Sequence, residues 1–264
     1  MSFAFPEKAN QMAYSLFSEP RSGRLQKDKL PKTLAKATSK IFQYEDQEFI
    51  TYLWKGNENV ILLVHGWESN ASRWKKLLPY LQKSGSTIIA LDAPGHGLSS
   101  GKEFHIPKYA AFIDIIVQEY KPKFLIGHSL GGKTCLYYQA HYNNPSIEKM
   151  VILGSPSDFK IILNNYVNLL NLNSSIAKSL EIQYSKVFQK ELDEFTGKHF
   201  ASKIKTKGLI AHDTDDTVVL FDEGKKIANA WKDAVFIETS GLGHAMHDDQ
   251  LYEKIASFLF EIKK

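Results

Sequence analysis

The 264-residue chain carries one cysteine, Cys135. A lone thiol closes no intramolecular disulfide and builds no multi-cysteine metal site, and its simplest role is a small residue packing a helix against a sheet. A surplus of one charge is also lacking: 33 Lys and Arg against 29 Asp and Glu leave only +4, scattered along the chain. Without a basic stripe, nucleic acid is not an expected partner. No apolar run reaches the length of a membrane span. Met1 to Asn10 contain Pro6, Glu7 and Lys8 and no apolar stretch, so no signal peptide is expected and the expected location is cytoplasmic. What remains is 43% hydrophobic and 12% aromatic. That is enough for a sizeable core with rings left over for a pocket, in one α/β domain or a core domain with an insertion.

Six short apolar runs, at 60–64, 87–91, 124–126, 150–153, 208–211 and 234–237, are mostly Val, Ile and Leu without alternation. Strands covered on both faces look like this. Trp74, Leu77, Leu78 and Leu81 form one helical stripe between them, and Ile113, Ile116 and Val117 another. Residues 41–44 and 49–54 are expected to make an antiparallel pair leading into the parallel sheet. The alternation predicts a doubly wound, mostly parallel α/β sheet.

Residues 155–205 break the rhythm, with no strand signal. Leu163, Tyr166, Val167 and Leu170 make one helical stripe; Leu180, Tyr184, Val187, Phe188 and Leu192 make a second, ending near Gly197. The segment is too long for an ordinary connection and is expected to be an inserted helical lid over the strand ends. The expected core is then 41–154 and 206–264. Residues 1–40 are expected to form an N-terminal arm, with a short helix over 11–17 and a basic, extended stretch from Glu19 onward.

Residues 127–134 fit two incompatible chemistries. Gly127, Ser129 and Gly131 satisfy G-x-S-x-G, a sharp strand-to-helix turn that raises a serine. Gly127, Gly132, Lys133 and Thr134 satisfy G-x-x-x-x-G-K-[ST], a phosphate-cradling loop. A nucleotide hydrolase also needs a magnesium-holding Asp downstream of that loop. The tempting partner, Asp92 to Gly97, precedes it. A serine hydrolase needs a base, an orienting acid and donors for the oxyanion. Carboxylates follow the strand at 208–211, and His244 lies in a loop after the last strand, giving the order serine, acid, histidine.

From about residue 48 onward the chain resembles the α/β-hydrolase superfamily, in its esterase/lipase-like branch. Five motifs in order carry the resemblance: His65-Gly66-Trp67, Asp92-x-Pro94-Gly95-His96-Gly97-x-Ser99, Gly127-x-Ser129-x-Gly131, Asp216-x-x-Val219 and Gly243-His244. The resemblance implies Ser129 as nucleophile, His244 as base in preference to His247, and Asp216 as the acid. A few relatives take the acid from an earlier strand, which here is Asp158. The main-chain N–H groups of Trp67 and Leu130 are the implied oxyanion donors.

His65, His96, His128 and Asp92 are expected to tie loops together. Lys133 and Thr134 become ordinary helix positions, and Asp213 and Asp215 solvated turn residues. Tyr166, Leu170, Tyr184 and Phe188 are the expected pocket walls. The implied activity is cleavage of a carboxylic ester, or a related acyl bond, of a small apolar substrate through an acyl-enzyme on Ser129, without metal or cofactor. Related serine chemistries, acyl transfer, perhydrolysis and carbon–carbon cleavage, share the same residues. The alternatives are a phosphate-loop NTPase using Gly127 to Thr134, or a non-catalytic relative that only binds a ligand.

Overall fold

The computed structural model describes residues 6–261. The readings of residues 1–5 as free of a leader and of 262–264 as the end of the core lie outside the described residues. In chain order the elements are α1 (Pro6–Ser18), α2 (Lys32–Ala35), β1 (Thr38–Tyr44), β2 (Gln47–Trp54), β3 (Asn57–Val64), α3 (Leu78–Gln82), β4 (Ser86–Leu91), α4 (Ile106–Tyr120), β5 (Phe124–His128), α5 (Leu130–Tyr142) and β6 (Lys149–Leu153). They continue with α6 (Phe159–Leu169), α7 (Ser174–Phe188), α8 (Gly197–Ala201), β7 (Lys207–Asp213), α9 (Phe221–Ala230), β8 (Ala234–Thr239) and α10 (Asp249–Phe260).

All eight strands join one sheet, ordered β1-β2-β4-β3-β5-β6-β7-β8. β2 runs antiparallel to β1 and β4, and every other pair is parallel. This is the expected doubly wound, mostly parallel α/β sheet of the α/β-hydrolase fold. Side chains alternate between faces with period two. Leu62, Val64, Ile89 and Leu91 therefore join α4, α5 and the helices after β6 on one face, while Ile61, Leu63, Ile88 and Ala90 join α3 and α10 on the other. Each of these fully buried Leu, Ile and Val side chains contributes about 1.5–3 kcal/mol of burial.

The topology fixes where a site can form. β4 lies on one side of β3 and β5 on the other, with Val64 opposite Gly127 in the register. The chain reverses its winding direction there, and such a switch leaves a crevice at the carboxyl ends of the strands. Ser129 follows β5 and Trp67 follows β3, so both stand at that crevice.

The long segment between β6 and β7 is helical but divided differently from the sequence pattern. α6 ends at Leu169, so Leu170 lies just beyond the helix and leaves the stripe. α7 ends at Phe188 because Gln189 takes a left-handed conformation (φ 52°), leaving Leu192 beyond the helix. A third short helix, α8, begins at Gly197, where the second stripe was expected to finish. At the base of the segment an antiparallel bridge joins Asp158 to Thr196, and the Gly197 N–H donates to the Ser157 carbonyl at 2.7 Å.

The N-terminal residues also hold more structure than the composition suggests. α1 is a regular helix packed on α7, and the stretch after it is stapled to the core rather than loosely laid on it. Leu25 N–H donates to the Gly97 carbonyl and Gly97 N–H to the Gly23 carbonyl. Among the described residues, no helix is long and apolar enough to cross a membrane.

Candidate active site

Ser129 is the single residue between β5 and α5. Its backbone, at φ 54° and ψ −128°, lies in a region that side chains other than glycine rarely occupy. The turn survives because the surroundings hold it: Ser129 N–H donates to the Leu153 carbonyl at 2.9 Å, and α5 starts immediately afterward. The close approach requires Gly131, where a Cβ would come within 2.3 Å of the Val64 carbonyl oxygen. The serine hydroxyl is thereby fixed at the head of the crevice.

His244 approaches from the loop before α10. Its Nε2 is 3.0 Å from Ser129 Oγ, and its Nδ1 is 2.8 Å from Asp216 Oδ2. Asp216 sits in the turn after β7, where its Oδ1 accepts the N–H groups of Val218 and Val219, both at 2.9 Å. Burial alone would raise its pKa, but hydrogen bonds from His212 and His244 and from the Val219 N–H outweigh that and hold it well below the usual carboxylate range. The carboxylate is therefore charged and accepts from the imidazole Nδ1–H, which leaves Nε2 facing the hydroxyl as an acceptor. An imidazole so held can take a proton from Ser129.

Asp158, the alternative acid, is engaged elsewhere: it pairs with Lys226 at 2.8 Å and accepts from Ser157 Oγ. His247 lies against the Tyr252 hydroxyl.

Several groups hold the His244 loop, and sequence reasoning overlooked most of them. Asp213 is fully buried, contrary to the solvated turn residue expected. It accepts the N–H groups of Leu242 and Gly243 at 3.0 Å and the Thr239 hydroxyl at 2.7 Å. Asp215 remains exposed yet accepts Gly241 N–H. The His128 ring donates from Nε2 to the His244 carbonyl at 2.7 Å, and Arg73 donates to the Ala245 carbonyl at 3.0 Å. His212, buried beneath Asp216, donates to the Val219 carbonyl at 2.8 Å and lies 3.5 Å from Asp216 Oδ2. The only signal of these roles was the crowding of Asp and His around positions 212–216.

The loop after β3 is held with equal care. His65 Nδ1 donates to the Gly66 carbonyl at 2.7 Å while its Nε2 accepts Ala93 N–H at 2.9 Å. Burial pushes this imidazole far below its ordinary pKa, so it stays neutral with one donor and one acceptor. Holding the Gly66 carbonyl on one side turns the Trp67 N–H, across the same trans peptide, to the opposite side. His96 Nδ1 donates to the Pro94 carbonyl and its Nε2 accepts Glu68 N–H at 3.0 Å. Gly66 packs directly on Ser129, where a Cβ would come within 2.8 Å of the serine Cβ. Asp92 accepts from the Tyr52 hydroxyl and from the N–H groups of Ala71 and Leu98. Burial, its largest influence, raises its pKa to about 6. No protein acceptor meets the N–H of Trp67 or of Leu130 among the described residues.

The phosphate-loop reading fails on geometry. One residue separates strand from helix, leaving no loop to wrap a phosphate. Lys133, expected to be an ordinary helix position, is completely buried, and its ammonium donates to the carbonyls of Ser157 (2.5 Å) and Phe195 (3.1 Å). Burial lowers its pKa to about 7, against the opposing pull of Asp158 and Glu223. It faces the base of the α6–α8 segment, 5.9 Å from the Phe159 ring and 5.5 Å from that of Phe195.

Beside Ser129 lies a cavity of about 300 Å³. Trp67, Phe104, Tyr166, Tyr184 and Phe188 contribute to its walls, as do Leu16, Phe17 and Arg21 from the N-terminal residues. Of the four expected wall residues only Leu170 is missing; its neighbour Leu169 takes the place. A larger surface hollow lies at the opposite end of the strands, among Lys123, Phe124 and Lys149, remote from Ser129. No group of three or more His, Cys, Asp or Glu is placed to hold a metal among the described residues.

The chain is similar in sequence and in fold to known proteins. The chain is 26% identical over 141 residues to phospholipase YtpA of Bacillus subtilis, covering 50% of this chain and 54% of the relative. It is 23% identical over 235 residues to the bifunctional esterase/perhydrolase DCH of Acinetobacter calcoaceticus, covering 71% and 85%. The chain spans about half the length, or less, of the first curated relatives it matches. Among solved structures, the monoacylglycerol lipase of Paleococcus ferrophilus superposes with a TM-score of 0.64 at 22% identity, over 81% of this chain and 98% of that one. The α/β hydrolase fold family model matches residues 59–208, a span that holds the loop after β3, the elbow at Ser129 and the whole of α5. With more than half of its length matched, the chain belongs to the α/β hydrolase fold family.

Proposed function

We propose that the protein is a serine hydrolase that cleaves carboxylic esters bearing an apolar acyl chain. The reading rests above all on the unbroken contact from Ser129 Oγ through the His244 imidazole to Asp216, at 3.0 and 2.8 Å. Ser129 attacks the ester carbonyl as Nε2 of His244 takes its proton; the tetrahedral oxyanion is met by the N–H groups of Trp67 and Leu130. Collapse expels the alcohol, which receives the proton from His244, and leaves an acyl group on Ser129. Water, deprotonated by the same imidazole, then attacks the acyl-enzyme, and the acid leaves with Ser129 restored. Asp216 keeps the imidazole in the required tautomer and balances its transient charge.

Residues 155–205 act in this reading as a lid over the core formed by 41–154 and 206–264, and the cavity beneath it takes the acyl chain. The names of the similar proteins, a phospholipase and an esterase/perhydrolase, are consistent with an ester substrate. The test is turnover of p-nitrophenyl esters by the wild type and by Ser129→Ala. Activity in the first and its loss in the second are expected. Equal rates in both would overturn the assignment.

A further inference from the structure

The N-terminal helix sits where a substrate wall is needed. Leu16 and Phe17 of α1 line the same cavity as Ser129, Trp67 and Leu130. The Phe17 ring lies 4.7 Å from that of Tyr166 and 5.2 Å, edge-on, from that of Tyr184. Tyr14 meets Tyr184 at 5.5 Å, and the Tyr166 hydroxyl donates to the Ala13 carbonyl at 2.9 Å. α1 is thus packed into the helices after β6 rather than resting on them.

Its far end is fixed to the reaction centre. Phe104 N–H donates to the Ser18 carbonyl at 2.8 Å. The Arg21 N–H and Nε both donate to Glu68 Oε1, at 3.0 and 3.2 Å, and Asn70 donates to the Gly23 carbonyl at 3.2 Å. Glu68 and Asn70 belong to the loop that carries Trp67. A helix clamped through its last turns and the chain that follows moves little when a side chain there is cut, so a truncation enlarges the cavity instead of letting the wall collapse inward.

We propose that α1 is a wall of the acyl pocket and that Phe17 and Leu16 set the longest acyl chain the site accepts; this rests on the ester-hydrolase reading above. A cavity of about 300 Å³, at about 30 Å³ for each water-sized group, holds a chain of up to about ten carbons. The substrate class is therefore esters of medium-chain fatty acids, with Phe17 closing the pocket against longer ones.

The experiment is a series of p-nitrophenyl esters from butanoate to hexadecanoate, read as kcat/KM for each chain. The wild type is expected to fall off beyond about ten carbons. Phe17→Ala is expected to raise the dodecanoate-to-octanoate ratio about tenfold or more, because a pocket contact of this size discriminates by that order. Leu16→Trp, at a partly exposed position, narrows the pocket and is expected to lower the octanoate-to-butanoate ratio. Met12→Ala, exposed on the same helix and outside the cavity, is expected to leave every ratio unchanged.

Active Phe17→Ala and Leu16→Trp proteins with wild-type ratios overturn this inference alone. If Phe17→Ala does not fold, as read by its thermal melt, the profile of Leu16→Trp decides. A folded wild type inert toward the whole series overturns the hydrolase reading and this one with it.

Discussion

Around Ser129, His244 and Asp216, side chains and loops are held by polar contacts of 2.7–3.0 Å, nearly all with a fixed donor and acceptor. Under α6, α7 and α1 the contacts are between rings, from the 3.7 Å stack of Phe188 on Phe195 to the 6.0 Å edge contact of Phe17 with Phe159. The first region tolerates one arrangement, since the His244, His65 and His96 imidazoles and the Asp216 and Asp213 carboxylates have their partners spoken for and a displaced one is left buried and unsatisfied. The second tolerates any apolar filling of suitable volume. Reaction geometry and substrate choice are thus built with different tolerances. Changes in the first region should strike kcat, and changes in the second KM or the preferred chain.

The comparison is broken most directly at its polar end. Ser129→Ala is expected to cut kcat by about 10⁴–10⁶-fold with KM little changed; a KM effect alone would place Ser129 among the pocket walls. Asp216→Asn is expected to cost about 10³–10⁴-fold in kcat, through loss of the imidazole tautomer. The same carboxylate links stability to acid. Its folded pKa lies below the unfolded value of about 3.9, so its contribution is complete above that pH and disappears as pH falls further. Asp216→Asn should flatten this acid limb in urea melts.

Lys133 lies at the seam between the two regions. Its pKa falls to about 7 in the folded protein against about 10.4 unfolded, so the unfolded chain binds more protons between those values and stability must rise with pH across that window. Lys133→Met should abolish the rise. Lys133→Ala, which also empties a cavity and strands two carbonyls, should cost about 2–5 kcal/mol. Neither should change kcat by more than about tenfold, because the hydrogen bonds of the ammonium go to the Ser157 and Phe195 carbonyls and none to Ser129, His244 or Asp216. The smallest effect is expected at Tyr166→Phe, which removes one hydroxyl bond to α1 and should cost about 1 kcal/mol in a thermal melt.

The polar region was the legible one. Serine after an apolar strand with glycine two residues on, a carboxylate three before Val219 and a glycine-flanked histidine each need those residue types at those spacings, because a turn or a hydrogen bond dictates them. Buried strands were legible for the same reason: uninterrupted Val, Ile and Leu has few other uses. Asp213 and His212 were hidden because a carboxylate in a turn looks alike whether water or a peptide N–H satisfies it. Lys133 was hidden because burial of a lysine depends on carbonyls contributed by residues 157 and 195, distant in the chain. The apolar walls were legible as helices but not as a cavity. Which way Leu169 or Leu170 points depends on where α6 stops, and nothing in the basic stretch after α1 announces that Phe17 reaches the site.

The most direct measurement is peptide mapping by mass spectrometry after reaction with a serine-directed alkyl phosphonate. One adduct is expected, on the peptide bearing Ser129, formed in step with the loss of esterase activity and absent from Ser129→Ala. An adduct on another residue, or undiminished hydrolysis with Ser129 fully labelled, would contradict it.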